Sequence, residues 1–453
     1  MGRVLGRTIS GRLMLVAALV FATRSLAAQE AAPVSPLLTI EQAVQIAIAN
    51  NVSLKIANLD VDKSKWQVAV AKTTRLPAIS TYLFASGNLN SPTFNFSQGI
   101  FGRINGLPNP AQNIRIELSQ GITGFANAQV AQPISQLYKI HLAIQEKQLS
   151  SDLASQQFRG KKQSVVADVK QAYYAVLQTE SALKSTAATV KQYEETDRVA
   201  TQYIAQEAVL QSESLDVKAK LAEARYQVVE LHNNLQTQKE ELNYLLGRDL
   251  ETDFTTEEVP PISLKETDLQ VAQQTALAQR PEIKEAEINV QRADVDRKLA
   301  KSQYIPDVGV AFHYSSPLNT EILPKNIASA GVEMSWEPFD WGRRKDAVNE
   351  KKITLEQTQY QLKDAHSQVL LDVNNHFRKL DQSRQLLSVA QAAQAAANEK
   401  LREVNDKFRQ SSVLLRDVLQ QQAAVANANH DYEQALLAFW TAKAEFEKAL
   451  GEE

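Results

Sequence analysis

The sequence predicts a mainly α-helical, exported chain built as an internal duplication, in which pairs of membrane-type β-strands alternate with very long helical hairpins. Three observations carry that reading. Two long tracts contain no proline, the hydrophobic period switches to two residues between them, and identities recur at fixed offsets between the two halves.

The chain opens with Arg3, Arg7 and Arg12, then an apolar run from Leu13 to Ala22, then Ser25-Leu26-Ala27-Ala28. A basic start, a short apolar stretch and a small-residue cleavage site make a secretory signal peptide over 1–27, too short for a spanning helix. The competing reading is a membrane anchor that stays. Without the four arginines of this leader the chain holds 45 basic and 52 acidic residues. That balance leaves no electrostatic footprint for nucleic acid. The 453 residues hold no Cys, which excludes disulfides, thiolate metal sites and Cys nucleophiles. Only 15 are Gly, so phosphate-cradling loops are not expected.

No Pro occurs between Pro133 and Pro260, nor after Pro338, gaps of 126 and 115 residues. Pro inside a helix costs about 3 kcal/mol, and these tracts are rich in Ala, Gln, Glu, Lys and Leu. Val169, Val176, Leu183 and Val190 fall seven apart, and Ala397, Leu401, Val404 and Phe408 step by four, three and four. This is coiled-coil spacing, although a plain helical bundle shares it.

Between the helical tracts the pattern alternates. From Ile114 to Val130 the even positions are mostly apolar and the odd ones mostly polar. Val308, Val310, Phe312 and Tyr314 alternate with Asp307, Gly309, Ala311 and His313. Ala328, Ala330, Val332, Met334 and Trp336 alternate with Ser329, Gly331, Glu333 and Ser335. Ala78–Ala85 is a fourth, blurred candidate. These are strands with one wet face, about the roughly 9–11 residues that cross a bilayer when tilted. A half-buried soluble sheet is the alternative. Four strands cannot close a barrel, and open edges are not tolerated in lipid, so a membrane location requires several copies to share one barrel.

The duplication follows from identities. At an offset of 229, Ala43 matches Ala272, Ala47 matches Ala276, Lys55 matches Lys284, Val61 matches Val290 and Pro77 matches Pro306. Gln132-Pro133-Ile134 matches Glu337-Pro338-Phe339 at 205, and Leu246-Gly247 matches Leu450-Gly451 at 204. The shrinking offset places an insertion at Asn88–Pro110, which reads as a long exposed loop. Its Phe94, Phe96 and Phe101 are candidates to plug a mouth or contact a partner. The organisation expected is a first repeat over 28–251 (strand pair about 77–131, hairpin about 135–247), a linker over 252–266, and a second repeat over 267–453 (strand pair about 306–337, hairpin about 339–451). The first long helix, Ser135 to about Val199, would run about 97 Å.

Arg280-Pro281-Glu282-Ile283, Tyr304-Ile305-Pro306, the run from Trp336 through Trp341-Gly342-Arg343-Arg344, and Ala449-Leu450-Gly451, in this order and duplicated, resemble the TolC-like outer membrane factor family. The resemblance covers nearly the whole mature chain. It implies an outer-membrane β-barrel of four strands per chain, shared in a homotrimer, that continues into a periplasmic coiled-coil α-barrel. It implies no catalysis and no cofactor. Its implied partners are a periplasmic adaptor, an inner-membrane pump of the RND or ABC type and outer-membrane lipid, as the exit duct of a tripartite efflux or type I secretion system.

The family's periplasmic tip pattern maps onto Phe408 through Ser411 to Asp417-Val418-Leu419, and onto Glu207 through Glu213 in the first repeat. Ser411 and Glu207 stand where the pattern has Gly. Phe408 and Val413 stand where family members carry a Tyr and an Arg that lock the entrance, which implies a different or weaker closed state. Asp417 and Glu213, with Gln420 at a second, usually acidic ring position, are the candidates to line the entrance. Grouped carboxylates attract cations and raise one another's pKa. The bland alternative for both is helix-end solvation, or pairing with Arg416 or Lys218. Glu207, Val209, Leu210, Phe408, Ser411, Val413 and Leu414 are the tip and adaptor-contact candidates.

The six His residues show no zinc spacing, and no GxSxG or phosphate-loop motif occurs. No catalytic, cofactor or metal residues are assigned. The second function class is a periplasmic coiled-coil structural or adaptor protein with no barrel. That reading requires the alternations to be accidental.

Overall fold

The computed structural model describes residues 36–87, 89–90, 93–117, 121–204, 210–257, 268–319, 324–410 and 412–452. The signal peptide, most of the linker, and Glu207, Val209 and Ser411 lie outside the described residues.

In chain order the elements are β1 (Leu37–Leu38), α1 (Ile40–Asn50), α2 (Val52–Thr73), β2 (Ala78–Gly87), β3 (Thr93–Phe96), β4 (Arg103–Ile104), β5 (Leu107–Pro108), β6 (Ile114–Glu117), β7 (Ile122–Pro133), α3 (Leu137–Ile204), α4 (Gln211–Leu246), β8 (Thr255–Thr256), α5 (Leu269–Gln279), α6 (Pro281–Ser302), β9 (Asp307–Leu318), β10 (Ile327–Ser335), α7 (Arg343–Arg409) and α8 (Leu415–Leu450). β1 and β8 pair in parallel. No described helix is long and apolar enough to cross a membrane.

The same local chemistry sets each half. Thr39 caps α1 in a box with Gln42, each backbone N–H bonding the other's side chain at 3.2 Å. Asp268, 229 residues on, caps α5 by accepting from the Gln270 N–H at 2.8 Å. Both first helices then break, at Asn51 and Arg280, where the backbone turns extended before α2 and α6. Such caps satisfy amide groups that have no partner within the helix, worth about 1 kcal/mol each.

The long helices α3 and α7, of 68 and 67 residues, span about 100 Å at 1.5 Å per residue. Along α3 lie α2 and then α4; along α7 lie α6 and then α8. The joints are pinned by side chains. Asn51 donates from Nδ2 to the Leu245 carbonyl at 2.8 Å, and Arg280 donates from its guanidinium to the Ala449 carbonyl at 3.2 Å. Gly247 and Gly451 end α4 and α8 in the left-handed region, φ +66° and +85°. A Cβ on Gly247 would strike the Asn50 carbonyl, and one on Gly451 would come within 3.1 Å of Gln279. Glycine therefore lets each end helix close against the break.

The two cores correspond position by position. Ala43, Ala47, Leu54, Val165, Val169, Leu242 and Leu246 form one cluster with Tyr173, Val176 and Phe254. Ala272, Ala276, Ile283, Val369, Val373, Phe446 and Leu450 form the other. Each buried large side chain contributes roughly 1.5–3 kcal/mol.

β2, β7, β9 and β10 form one antiparallel sheet in the order β10-β9-β7-β2. One expectation is corrected here. Ile114–Val130 is not a single strand: Ile114–Glu117 pairs with β3 in a separate ribbon, and β7 begins at Ile122. Alternation reports which face a residue takes but not which strand it joins, and Phe94 and Phe96 lie close enough in sequence to supply a partner. The insertion is likewise more than a loop, since it also holds the β4–β5 hairpin.

Candidate functional site: a two-faced sheet and the hairpin tips

The register brings the alternating apolar positions of the four strands to one face. Ile79 faces Val130, Phe312 and Ala330 in one row; Thr81, Ala128, Tyr314 and Ala328 form another; Val310 and Val332 a third. Ile79 is 76% exposed and Val332 73%, and Leu83 and Met334 are exposed on the same face. In water such a face would be a liability; against hydrocarbon it is the required surface.

The opposite face is mainly polar, apart from one row where Phe84, Phe125 and Pro317 meet. Ser80, Gln129, His313 and Ser329 share a row, and Asn127 and Ser315 share the next, where Ser315 donates to Asn127 Oδ1 at 2.7 Å. His313 Nε2 lies 2.8 Å from Glu333 Oε1, over the small row of Ala311 and Gly331. At the foot of the same face Asp307 meets Lys139 of α3 at 2.5 Å.

The sheet passes into helices through a braced corner. Asp340 accepts from the Gly342 and Arg344 N–H groups at 3.2 and 3.0 Å, while Arg343 and Arg344 converge on Glu337. Trp336, Phe339 and Trp341 stand exposed here, with Tyr138 and Tyr304 exposed at the ends of the helices that meet the sheet. Aromatic rings with one apolar and one polar end suit a membrane–water boundary.

At the far end the two hairpin tips pack together. Ala200 of α3, Val217 of α4 and Leu415 of α8 form a buried cluster with Phe408 and Leu419 against it. Phe408 is half-buried, and its ring meets Tyr203 edge-on at 6.0 Å. Glu213 and Asp417, 204 residues apart, each occupy the third position of α4 and α8 and are half-buried. Asp417 Oδ2 accepts from the Leu414 N–H at 3.1 Å. Carboxylates are favoured at helix N-termini, where amide groups are unpaired. Neither acid forms an ion pair with Arg416 or Lys218 among the described residues. Leu210 and Leu414 are exposed helix caps, Val413 is half-buried, and Gln420 is exposed one turn further in.

Sequence reasoning missed the seam between α3 and α8. It is a ladder of polar contacts: Lys170 to Glu447 at 2.5 Å, Ser181 to Glu433 at 2.7 Å, Asn429 to Ser185 at 3.3 Å and Gln422 to Thr196 at 3.1 Å. Burial pushes the Glu433 carboxyl above its ordinary range, only partly offset by the Ser181 hydroxyl. The available signal was polar Gln422 and Asn429 at the three–four spacing of Val418 and Val425, positions that a seam usually fills with apolar residues.

A sheet with one lipid-facing and one water-facing side, running into helices about 100 Å long, defines a subunit of an outer-membrane channel. The chain belongs to the outer membrane efflux protein family, whose sequence model matches residues 43–248 and again 272–452. It is therefore an outer-membrane transport protein whose helical part extends into the periplasm. No functionally curated protein matches the sequence. Among solved structures the fold is similar to the outer-membrane channel OprN (16% identity, 91% of this chain and 90% of that one, TM-score 0.75). It is also similar to the outer membrane channel CmeC of Campylobacter jejuni (16%, 91% and 85%, TM-score 0.74). The open state of the MtrE outer membrane channel of Neisseria gonorrhoeae matches as well (16%, 91% and 89%, TM-score 0.69). Membership in a family of outer membrane channels leaves the barrel-free scaffold without support.

Proposed function

We propose that this protein is a passive exit duct, in which three copies share one barrel and the helical hairpins carry cargo from an inner-membrane pump to the exterior. The observation that carries this is the two-faced sheet whose edges, β2 and β10, have no outer partner among the described residues. Backbone groups at an edge cannot stay unsatisfied in lipid, so β10 of one copy must pair with β2 of the next, a head-to-tail contact that closes as a ring. Two copies would give about eight strands, an interior that side chains fill; three give about twelve and an open lumen.

In this reading the chain comprises repeats at 28–251 and 267–453 joined by the 252–266 linker, behind a leader at 1–27. Asp417, Glu213 and Gln420 line the entrance. Leu210, Phe408, Val413 and Leu414, together with Glu207, Val209 and Ser411, meet a periplasmic adaptor that links an RND or ABC pump. Efflux and type I secretion share this duct, and the pump chooses the cargo. The protein itself performs no reaction. Purified protein added to a planar lipid bilayer should give discrete, long-lived conductance steps without any energy source. Absence of steps from protein recovered in the outer-membrane fraction would refute the duct.

A further inference from the structure

The four strands of the sheet carry three acidic or basic side chains between them: Asp307 and His313 on β9 and Glu333 on β10. All three lie on the polar face. Asp307 is matched by a permanent cation, the Lys139 ammonium at 2.5 Å. Among the described residues Glu333 is matched only by His313, at 2.8 Å, and both side chains remain accessible, 59% and 43% exposed. The other groups facing His313 on this side are neutral: Gln129 on β7, Ser80 and Tyr82 on β2 and Ser329 on β10.

From this imbalance we infer that Glu333 sets the ion preference of the barrel lumen. The inference rests on the shared-barrel reading, which brings one such carboxylate from each copy to a single lumen. Fixed charge of one sign on the wall of a polar channel enriches the opposite ion, so the lumen prefers cations. His313 is a positioning residue here: its hydrogen bond holds the carboxylate along the wall, over Ala311 and Gly331, rather than across the lumen.

The test is the reversal potential of single channels in a potassium chloride gradient, on native protein and two variants whose trimer band is first checked on a gel. Native channels should prefer potassium. Glu333→Gln should move toward chloride, whereas His313→Gln, neutral but hydrogen-bonding, should keep the native preference. Reversal potentials of Glu333→Gln equal to native would overturn the inference. Native protein that forms no channel would instead overturn the duct reading, and this inference with it.

Discussion

The two repeats solve one packing problem with different side chains. At the break after the first helix, repeat one uses Asn51, a small amide that caps α2 by accepting from the Leu54 N–H and ties down the Leu245 carbonyl. Repeat two uses Arg280, whose guanidinium bonds Glu282, Asp372 and the Ala449 carbonyl at once, while Pro281 starts α6 without needing a cap. Pro at a first helical position loses no hydrogen bond. The second joint can therefore dispense with a short polar capping residue and use the position to fasten α7 as well. Sharing a backbone does not oblige the copies to share a mechanism of holding it.

The sharpest way to break this symmetry is at the glycines. Gly247→Ala should destabilise by about 2–4 kcal/mol, the left-handed penalty plus a clash with the Asn50 carbonyl. Gly451→Ala, with 3.1 Å available, should cost about 1–2 kcal/mol. Thermal unfolding of the two variants in the same detergent checks the order; equal losses would mean the two joints are equally close-packed.

Next comes Arg280→Ala against Asn51→Ala. The arginine side chain is only 12% exposed, but Asp372 and Glu282 are open to water, which screens them. About 2 kcal/mol is expected for Arg280 and about 1 kcal/mol for Asn51. Arg280→Lys, which cannot fork to three partners, should recover less than half of the loss on the same melts.

The region joining the repeats contrasts with their interiors. The cores at Val165–Val176 and Val369–Val373 are apolar, while the α3–α8 seam is polar and holds Glu433. Because burial raises the carboxyl's pKa in the folded protein, the folded state binds a proton that the unfolded chain releases. Glu433 is therefore least costly below the ordinary carboxylate range, and stability is lost as pH rises through the raised value. Glu433→Gln should melt higher than native protein at pH 8, by about 1 kcal/mol equivalent, and alike near pH 4. A difference of the same size at both pH values would deny the burial effect.

The smallest contrast is at the tips. Asp417→Ala removes a bond to the Leu414 N–H and should cost about 0.5–1 kcal/mol, and it should also lower cation preference in bilayers. Glu213→Ala, whose carboxylate makes no such cap bond among the described residues, should cost less. Unchanged selectivity in Asp417→Ala would remove that residue from the pore.

Much of this is legible in the sequence. The offsets of 229 and 204 survive because caps, prolines and terminal glycines sit where backbone geometry leaves little choice. Alternation in β7, β9 and β10 gave the faces, since hydrocarbon on one side and water on the other enforce it residue by residue. The blurred alternation of β2 resolves only in the register, where Ile79, Thr81, Leu83 and Ala85 join the apolar face. The three-way grip of Arg280 stayed hidden because Asp372 and Ala449 are distant in sequence, and the partner of Ile114–Glu117 because alternation does not say which strand a segment joins. The pairing of His313 with Glu333 was hidden for the same reason: each looked like an isolated polar residue on its own strand.

Whether copies of this chain share one barrel is best tested by running outer-membrane extracts, unheated and heated, on a gel calibrated by mass. A species of trimer mass that collapses to the monomer on heating is the expected result. A monomer in the unheated lane, recovered from the soluble periplasmic fraction, would contradict the shared barrel and leave the apolar face of the sheet without a membrane to meet.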